Sequence, residues 1–391
     1  MYKLLLTASL FCLLISCNSQ SSVDNKTGRS KNKSSEDMIE GKDYITLKRF
    51  RVTDEYGFNQ PVEVSSFVLP ANWQVNSSVK WNGRNKCIPE MIQASLQAQS
   101  ADGAFELMMF PTTQFDWSDD PVYLDAMKRG FNMQSCTIAP PVDAANYIGN
   151  YIAPYLKAEV KSANTIEALQ QQMDESAMQM TNTARQAGNN AYSHRGSAAE
   201  GFLAFNDGKE GLAFCTVMQT IVTVPGTQGG MVSSYYSYVS LRIVLKYEAG
   251  NERAARKIMS TFFSSARINP IWSEAVKRFF YAVGKGAQDE GWKQIQISYK
   301  AQQEIGDNII RSWEARNNRN NNAGGAEDIN SQFSQYLRGV DSWTDEQGNK
   351  IELTSGYTNA WSKGDGSYIV SNNPAFDPNV TFNEDWKRLN K

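Results

Sequence analysis

Histidine is the residue type that this sequence most clearly lacks. Its 391 residues contain one histidine, His194, so a mechanism of the Ser-His-Asp or Cys-His kind would have to use this side chain. His194 lies in the polar stretch 191–196 between a predicted helix and a predicted strand, and we interpret it as a solvated loop residue. One histidine also excludes a zinc site built mainly from imidazole ligands. We expect no metal site and no cofactor.

An excess of charge of one sign is missing as well. Lys and Arg number 39 against 41 Asp and Glu, which gives a formal net charge of −2. Binding to nucleic acid would need a basic patch or stripe, which the sequence does not show, so we expect no nucleic-acid partner. After residue 16 the chain also has no apolar run of about 18 residues or more, the length that a transmembrane helix requires.

The N-terminus has a distinctive pattern. One lysine precedes an apolar run at 4–15, and a serine separates this run from Cys17. This pattern is typical of a secretory signal peptide, and the run is too short for a spanning helix. Residues 14–17 (Leu-Ile-Ser-Cys) resemble the lipobox of bacterial lipoproteins, which implies cleavage before Cys17 and acylation of this residue. We therefore predict a signal peptide over 1–16; the alternative is an ordinary signal peptide with a chance cysteine.

Residues 17–42 are rich in Ser, Asn, Lys, Asp and Glu. Such a composition cannot offset the entropy of folding, so we predict a flexible tether between the bilayer and the folded body. Asn18 follows the predicted acylation site. In lipoprotein sorting an aspartate at this position retains the protein at the inner membrane, so the resemblance favours the outer membrane over the inner membrane.

Cysteine is scarce in the rest of the chain. Cys12 lies in the predicted signal peptide and Cys17 carries the predicted acyl chains, which leaves Cys87, Cys136 and Cys215. Three cysteines allow at most one intramolecular disulfide, and the sequence does not say which pair forms it. Because Cys215 ends the apolar run Leu-Ala-Phe-Cys, we interpret it as a buried thiol.

The fold class follows from residue periodicity. Apolar and polar residues alternate over 92–100, which is typical of a strand in a sheet with one face toward solvent. Residues 102–103 (Asp-Gly) then predict a tight hairpin turn. A second long strand is predicted over 235–247, with Val239 and Leu241 on the same face. With helices between such hairpins, we predict an α+β fold in which an antiparallel sheet carries helices on its faces.

The longest periodic element lies at 156–187, where apolar residues recur every three or four positions. We predict a helix that packs across the sheet; the alternative is a coiled-coil seam. The predicted organisation is an α+β sandwich domain over 43–270 and a helical segment over 271–316. An Asn/Gly-rich linker at 317–325 and a small aromatic-rich β-meander module over 326–391 follow.

Two stretches carry a further resemblance. Residues 69–73 (Leu-Pro-Ala-Asn-Trp) and the helix end at 264–270 (Ser-Ser-Ala-Arg-Ile-Asn-Pro) are similar to bacterial lipoproteins with a Mog1/PsbP-like α/β/α sandwich. This resemblance implies binding or assembly rather than catalysis, and it brings no catalytic residues. The tail at 357–379 resembles the C-terminal module of secreted bacterial proteins.

The tail is rich in aromatic residues, among them Trp343, Tyr357, Trp361 and Tyr368. We predict these four as a candidate binding surface for a glycan or a partner protein. The alternative is that a small meander needs large rings to fill its own core.

Carboxylates cluster just before a helix predicted from Pro121. Asp116, Asp119 and Asp120 stand around Trp117. An aspartate at the N-cap satisfies free helix N–H groups, and we favour this role for Asp119 or Asp120. The alternative is a glycosidase-like acid/base pair beside a ring that could stack on a sugar.

These observations predict a membrane-anchored cell-envelope lipoprotein with a non-enzymatic binding or scaffolding role. Its predicted partners are the lipid bilayer, through acylated Cys17, and an envelope protein or glycan. The alternative is an envelope hydrolase that acts on glycan through Asp/Glu carboxylates.

Overall fold

The computed structural model describes residues 38–82, 87–131, 136–226, 229–284 and 340–391. The predicted signal peptide, Cys17 and nearly all of the predicted tether lie outside the described residues. So do residues 285–316 of the predicted helical segment, the predicted linker and residues 326–339 of the predicted β module.

The described chain has the predicted α+β fold, with mainly antiparallel sheets and helices on their faces. The strands are β1 (Tyr44–Asp54), β2 (Val62–Pro70), β3 (Gln74–Trp81), β4 (Ile92–Gln99), β5 (Phe105–Met109), β6 (Thr113–Ser118), β7 (Thr137–Ile138), β8 (Ala158–Thr165), β9 (Tyr192–Phe205), β10 (Glu210–Pro225), β11 (Met231–Tyr247), β12 (Arg267–Ile268), β13 (Val340–Thr344), β14 (Lys350–Thr354), β15 (Asn359–Ser362), β16 (Ser367–Ser371) and β17 (Lys387–Arg388). The helices are α1 (Pro121–Ala126), α2 (Ala144–Tyr147), α3 (Ala153–Tyr155), α4 (Glu167–Gln186), α5 (Glu252–Ser265), α6 (Pro270–Gly284) and α7 (Pro378–Phe382).

The larger sheet of the described chain has nine strands. Seven follow the order β3-β4-β5-β11-β10-β9-β8, while β6 pairs with β11 and with β7. The predicted hairpin is present, because β4 and β5 pair antiparallel and Gly103 in their turn has a φ of +71°. Glycine adopts this left-handed conformation without the steric penalty of a side chain.

Helices cover both faces of the larger sheet. On one face α4, α5 and α6 pack against apolar side chains that include Leu212, Phe214 and Ile243. On the other face α2 and α3 pack against a second cluster that includes Ala213 and Cys215. The alternation of residues along β10 therefore supplies both cores, one with each face of the strand.

The predicted helix over 156–187 needs a correction. Its first part is the edge strand β8, and only Glu167–Gln186 is helical. Lys157 takes a φ of +54°, which a helix cannot continue through, and β8 then gains its backbone hydrogen bonds from β9. The helical part packs across the sheet as predicted, since Leu169 and Met173 are buried in the first core cluster.

The tail contains the short strands of the predicted C-terminal β-meander, and in the described residues 340–391 these strands are joined to the rest of the fold. Strands β15, β16 and β17 of the tail join a six-stranded sheet of order β12-β2-β1-β16-β15-β17, in which β16 pairs directly with β1. Strands β13 and β14 pair with each other in a two-stranded sheet. Helix α5 also links the two parts, because Lys257 Nζ donates to the carbonyl of Ser355 over 2.8 Å. The reason is that β1 has one side paired with β2 and needs a second partner, which the tail supplies.

The open question about the cysteines is settled by a disulfide between Cys87 and Cys136, which spans a sequence separation of 49. Cys215 is a buried free thiol on β10, as predicted. Burial raises the pKa of this thiol well above its ordinary value, so it stays protonated and weakly nucleophilic at neutral pH.

Candidate functional site

The predicted aromatic surface of the tail is mostly core. Trp343, Trp361 and Tyr368 are only 1%, 6% and 7% exposed. Trp343 of β13 and Tyr368 of β16 pack in one core cluster, and Trp361 packs edge-on against Phe376 at 5.6 Å in another. Tyr357 is half-buried, with Lys257 over its ring at 5.8 Å. The prediction is thus wrong for the three buried rings, because the short strands of the tail use these large rings to fill the core.

The carboxylates before α1 have structural partners. Asp120 caps α1 by accepting hydrogen bonds from the backbone N–H groups of Val122 (2.9 Å) and Tyr123 (3.3 Å), which confirms the N-cap interpretation. Asp119 accepts the backbone N–H of Ser233 at 2.5 Å. Asp116 is fully buried and accepts a hydrogen bond from a glutamine side chain on the same strand. These contacts hold the three carboxylates as parts of the fold.

His194 lies on β9 and not in a loop, which corrects the sequence interpretation. It is half-buried against α4, where its Nδ1 is 3.2 Å from the hydroxyl oxygen of Thr181. The same hydroxyl oxygen accepts the backbone N–H of His194 at 2.9 Å. Burial lowers the pKa of His194. The histidine therefore serves as a neutral contact between strand and helix.

Within the described ranges, no group of three or more His, Cys, Asp or Glu side chains is placed to hold a metal ion. In the same part of the chain, no helix combines the length and the apolar character needed to cross a bilayer.

A cluster that sequence reasoning missed lies on the face covered by α2 and α3. It consists of Phe110, Tyr147, Tyr151, Tyr155 and Arg242, and we call it the tyrosine-arginine cluster. The three tyrosines recur every fourth residue along α2, a π-helical turn (Ile148–Ile152) and α3. This spacing places them on one side of the helical segment.

The rings of the cluster are in direct contact. Tyr147 and Tyr151 stack with their centroids 5.0 Å apart, and Tyr155 meets Phe110 edge-on at 5.6 Å. Tyr147 is buried, Phe110 and Tyr151 are half-buried, and Tyr155 is 74% exposed. The cluster therefore runs from the core of the protein to its surface. A π-helical turn is rare and is often found at functional sites.

Arg242 is the one cation of the cluster. Its guanidinium carbon lies 5.8 Å from the ring centre of Phe110 and 5.5 Å from that of Tyr147. Nη1 donates to the carbonyl of Pro111, whereas Nε is buried and has no hydrogen-bond partner among the described residues. No carboxylate of the described residues forms an ion pair with Arg242.

A second stacked arginine shows what is unusual about Arg242. Arg256 lies 5.1 Å from the ring centre of Phe202, and its Nη1 is 2.9 Å from a carboxylate oxygen of buried Glu200. Its Nε contacts Glu252 at 2.8 Å. Arg256 thus has aromatic and acidic partners, whereas Arg242 has only the aromatic ones within the part of the chain that the structure describes.

The backbone around Arg242 is irregular. Leu241 has a φ of +51°, and the pairing of β10 with β11 shifts by one residue between Phe214 and Thr216. Because of this bulge, Val239 packs in the cluster of α2 and α3, while Leu241 packs in the cluster of the opposite face. The prediction that these two residues share a face is wrong for this reason. Bulges reorient side chains, and strained backbone often marks a functional position.

Arg242 carries the charge of the cluster at neutral pH. Burial raises the pKa of Tyr147 to about 12, although the positive charge of Arg242 opposes this shift. The tyrosine is therefore neutral. The arrangement offers one cation close to two rings, and one of these rings, that of Phe110, also contacts the exposed ring of Tyr155. The rings can stack on a flat ligand, and the guanidinium can pair with one negatively charged group of that ligand.

Comparison of the chain with protein-family models, with curated proteins and with solved structures found no match. The Mog1/PsbP-like resemblance and the lipobox therefore stay predictions from the sequence.

Proposed function

We propose that this protein is a lipid-anchored protein of the cell envelope with a non-enzymatic binding role, and that the tyrosine-arginine cluster is its binding surface. The observation that carries the proposal is Arg242, whose guanidinium lies close to two rings and has no acidic partner among the described residues. Keeping a half-buried charge without a counter-charge costs stability. A negatively charged ligand would pair with Arg242, and the need to bind such a ligand would explain why the protein keeps this charge.

The anchor is the second part of the proposal. It rests on the signal-peptide pattern and on Cys17, and it places the protein on the bilayer, on the outer membrane rather than the inner one. The ligand is then an envelope glycan or an envelope protein, and no nucleic acid. A glycan hydrolase is not favoured. Such an enzyme would need two carboxylates that can reach the substrate, whereas Asp119 and Asp120 accept hydrogen bonds from backbone N–H groups.

Membrane fractionation tests the anchor. Cys17→Ala should move the protein from the membrane fraction to the soluble fraction, since one acyl-bearing residue is removed. Cys12→Ala is the matched control, because this cysteine lies within the predicted signal peptide. Membrane association of the Cys17→Ala variant would refute the anchor.

Pull-down from a detergent extract of the envelope tests the binding role. Tyr155→Ala removes the exposed ring of the cluster and should reduce the amount of captured glycan or protein severalfold. Tyr56→Ala is the matched control, since Tyr56 is also an exposed tyrosine but lies between β1 and β2, outside the cluster. Equal capture by the two variants and the wild type would refute the cluster as the binding surface.

A further inference from the structure

We infer that the tyrosine-arginine cluster binds a carboxylated sugar, with the carboxylate on Arg242 and the sugar ring against Tyr155. This inference rests on the proposed binding function and names the class of ligand. Three properties of the cluster lead to this inference: the fixed guanidinium, the exposed ring and the single positive charge.

The guanidinium is held in position for a planar anion. The carbonyl of Pro111 accepts one N–H, and the rings of Phe110 and Tyr147 limit the rotation of the side chain. The backbone of Arg242 lies within the sheet, where its carbonyl accepts the N–H of Phe110. Residue 242 as a whole is half-buried, and its Nε is fully buried without a hydrogen-bond partner among the described residues. A guanidinium so fixed is suited to carboxylate, which accepts two parallel N–H bonds.

The exposed ring adds a flat apolar surface that is linked to this cation through the ring of Phe110. Tyr155 is 74% exposed, and its edge-on contact with Phe110 joins it to the ring that flanks Arg242. A pyranose ring has an apolar face of C–H groups, which gains dispersion contacts on a tyrosine ring. A site with one apolar platform and one charged group fixes both the position and the orientation of such a ligand.

The charge of the cluster selects between anions. The cluster holds one cation, and a carboxylate carries one negative charge. A phosphate monoester carries more than one at neutral pH and is usually bound by several donors or cations. A neutral sugar would leave the guanidinium without a counter-charge. The carboxylated sugar matches both the single cation and the adjacent ring.

The experiment is isothermal titration calorimetry on the full-length protein in detergent, with tetragalacturonate as the probe. Its fully methyl-esterified form is the matched control, because the ester has the same rings without the charge. We expect the acid to bind at least about tenfold more tightly than the ester, as is typical when a charge-assisted pair is lost. Equal affinity of acid and ester would overturn the inference.

Variants locate the two contacts. Arg242→Gln should weaken binding of the acid about tenfold or more, and Tyr155→Ala should weaken binding of acid and ester alike. Tyr56→Ala should leave both unchanged. If Arg242→Gln does not fold, Tyr155→Ala still tests the inference, because the side chain of Tyr155 is exposed and its removal should not disturb folding. Binding of the acid that is unaffected by Tyr155→Ala would overturn the inference.

Failure of the inference can be told apart from failure of the proposed function. If tetragalacturonate does not bind but an envelope ligand is captured in a manner that depends on Tyr155, the ligand class is wrong and the binding role stands. Binding of a peptide through its free C-terminal carboxylate in place of the sugar leads to the same conclusion. If neither probe nor extract gives a ligand that depends on Tyr155, the proposed function fails as well.

Discussion

Trp272 of α6 donates its indole N–H to the carboxylate of Asp54 at the end of β1 over 2.9 Å. The same carboxylate oxygen accepts the indole N–H of Trp81 on β3 at 2.7 Å. The other oxygen accepts two backbone N–H groups of the turn that follows β1. One buried carboxylate thus joins the six-stranded sheet, the nine-stranded sheet and a helix.

Asp54→Ala should lower the free energy of unfolding by about 3 kcal/mol or more, because two buried indole N–H groups lose a charged acceptor. The measurement is the midpoint of urea-induced unfolding. Glu55→Ala is the matched control, since its neighbouring side chain is exposed, and it should change the free energy by no more than about 0.5 kcal/mol. Similar midpoints for both variants would contradict the role of Asp54.

The ion pair of Glu200 and Arg256 gives a second prediction. Glu200→Gln removes the buried partner of the pair and should destabilise the fold by about 3 kcal/mol. Glu252→Gln removes the contact of Arg256 with a largely exposed glutamate, and should cost no more than about 0.5 kcal/mol. Thermal unfolding of both variants provides the comparison. Equal melting temperatures would mean that burial of Glu200 does not strengthen the pair.

The disulfide gives a third prediction. Replacing Cys87 and Cys136 together by alanine should lower the free energy of unfolding by about 4 kcal/mol, as expected for a loop of this length. A reducing agent should shift the unfolding of the wild type in the same direction and leave the double variant unaffected. A wild type that is insensitive to reduction would show that the bond does not contribute.

The burial of His194 gives a prediction for pH. Because burial lowers its pKa in the folded state, the unfolded chain binds a proton more readily than the folded protein does. The stabilisation is therefore complete above the unfolded-state pKa of about 6.5 and is lost as the pH falls below this value. Urea midpoints at pH 7.5 and 5.5 should differ less in His194→Gln than in the wild type. An unchanged difference would contradict this assignment.

Local features were predictable from the sequence. The β4–β5 hairpin depends on residues close together in the chain, so the alternation over 92–100 and the Asp-Gly turn were sufficient to place it. The error at 156–187 has a physical reason: apolar residues of β8 happen to continue the helical spacing of α4, and only pairing with β9 decides between the two structures.

Long-range features were not predictable. The pairing of β1 with β16 joins Tyr44 to Ser371. The residue pattern of neither strand specifies which strand it pairs with. The spacing of Tyr147, Tyr151 and Tyr155 was visible in the sequence and could have pointed to one face of a helix. The stacking of Arg242 on this face could not have been seen, since it depends on a bulge between two strands.

The pairing of β1 with β16 also determines when the fold can be completed during synthesis. Strand β1 is made early, but one of its two edges has no partner until residues 367–371 have been made. An incomplete chain therefore presents an open strand edge, which is a template for aggregation. Shielding of this edge during synthesis would protect the incomplete chain until its last strands have been made.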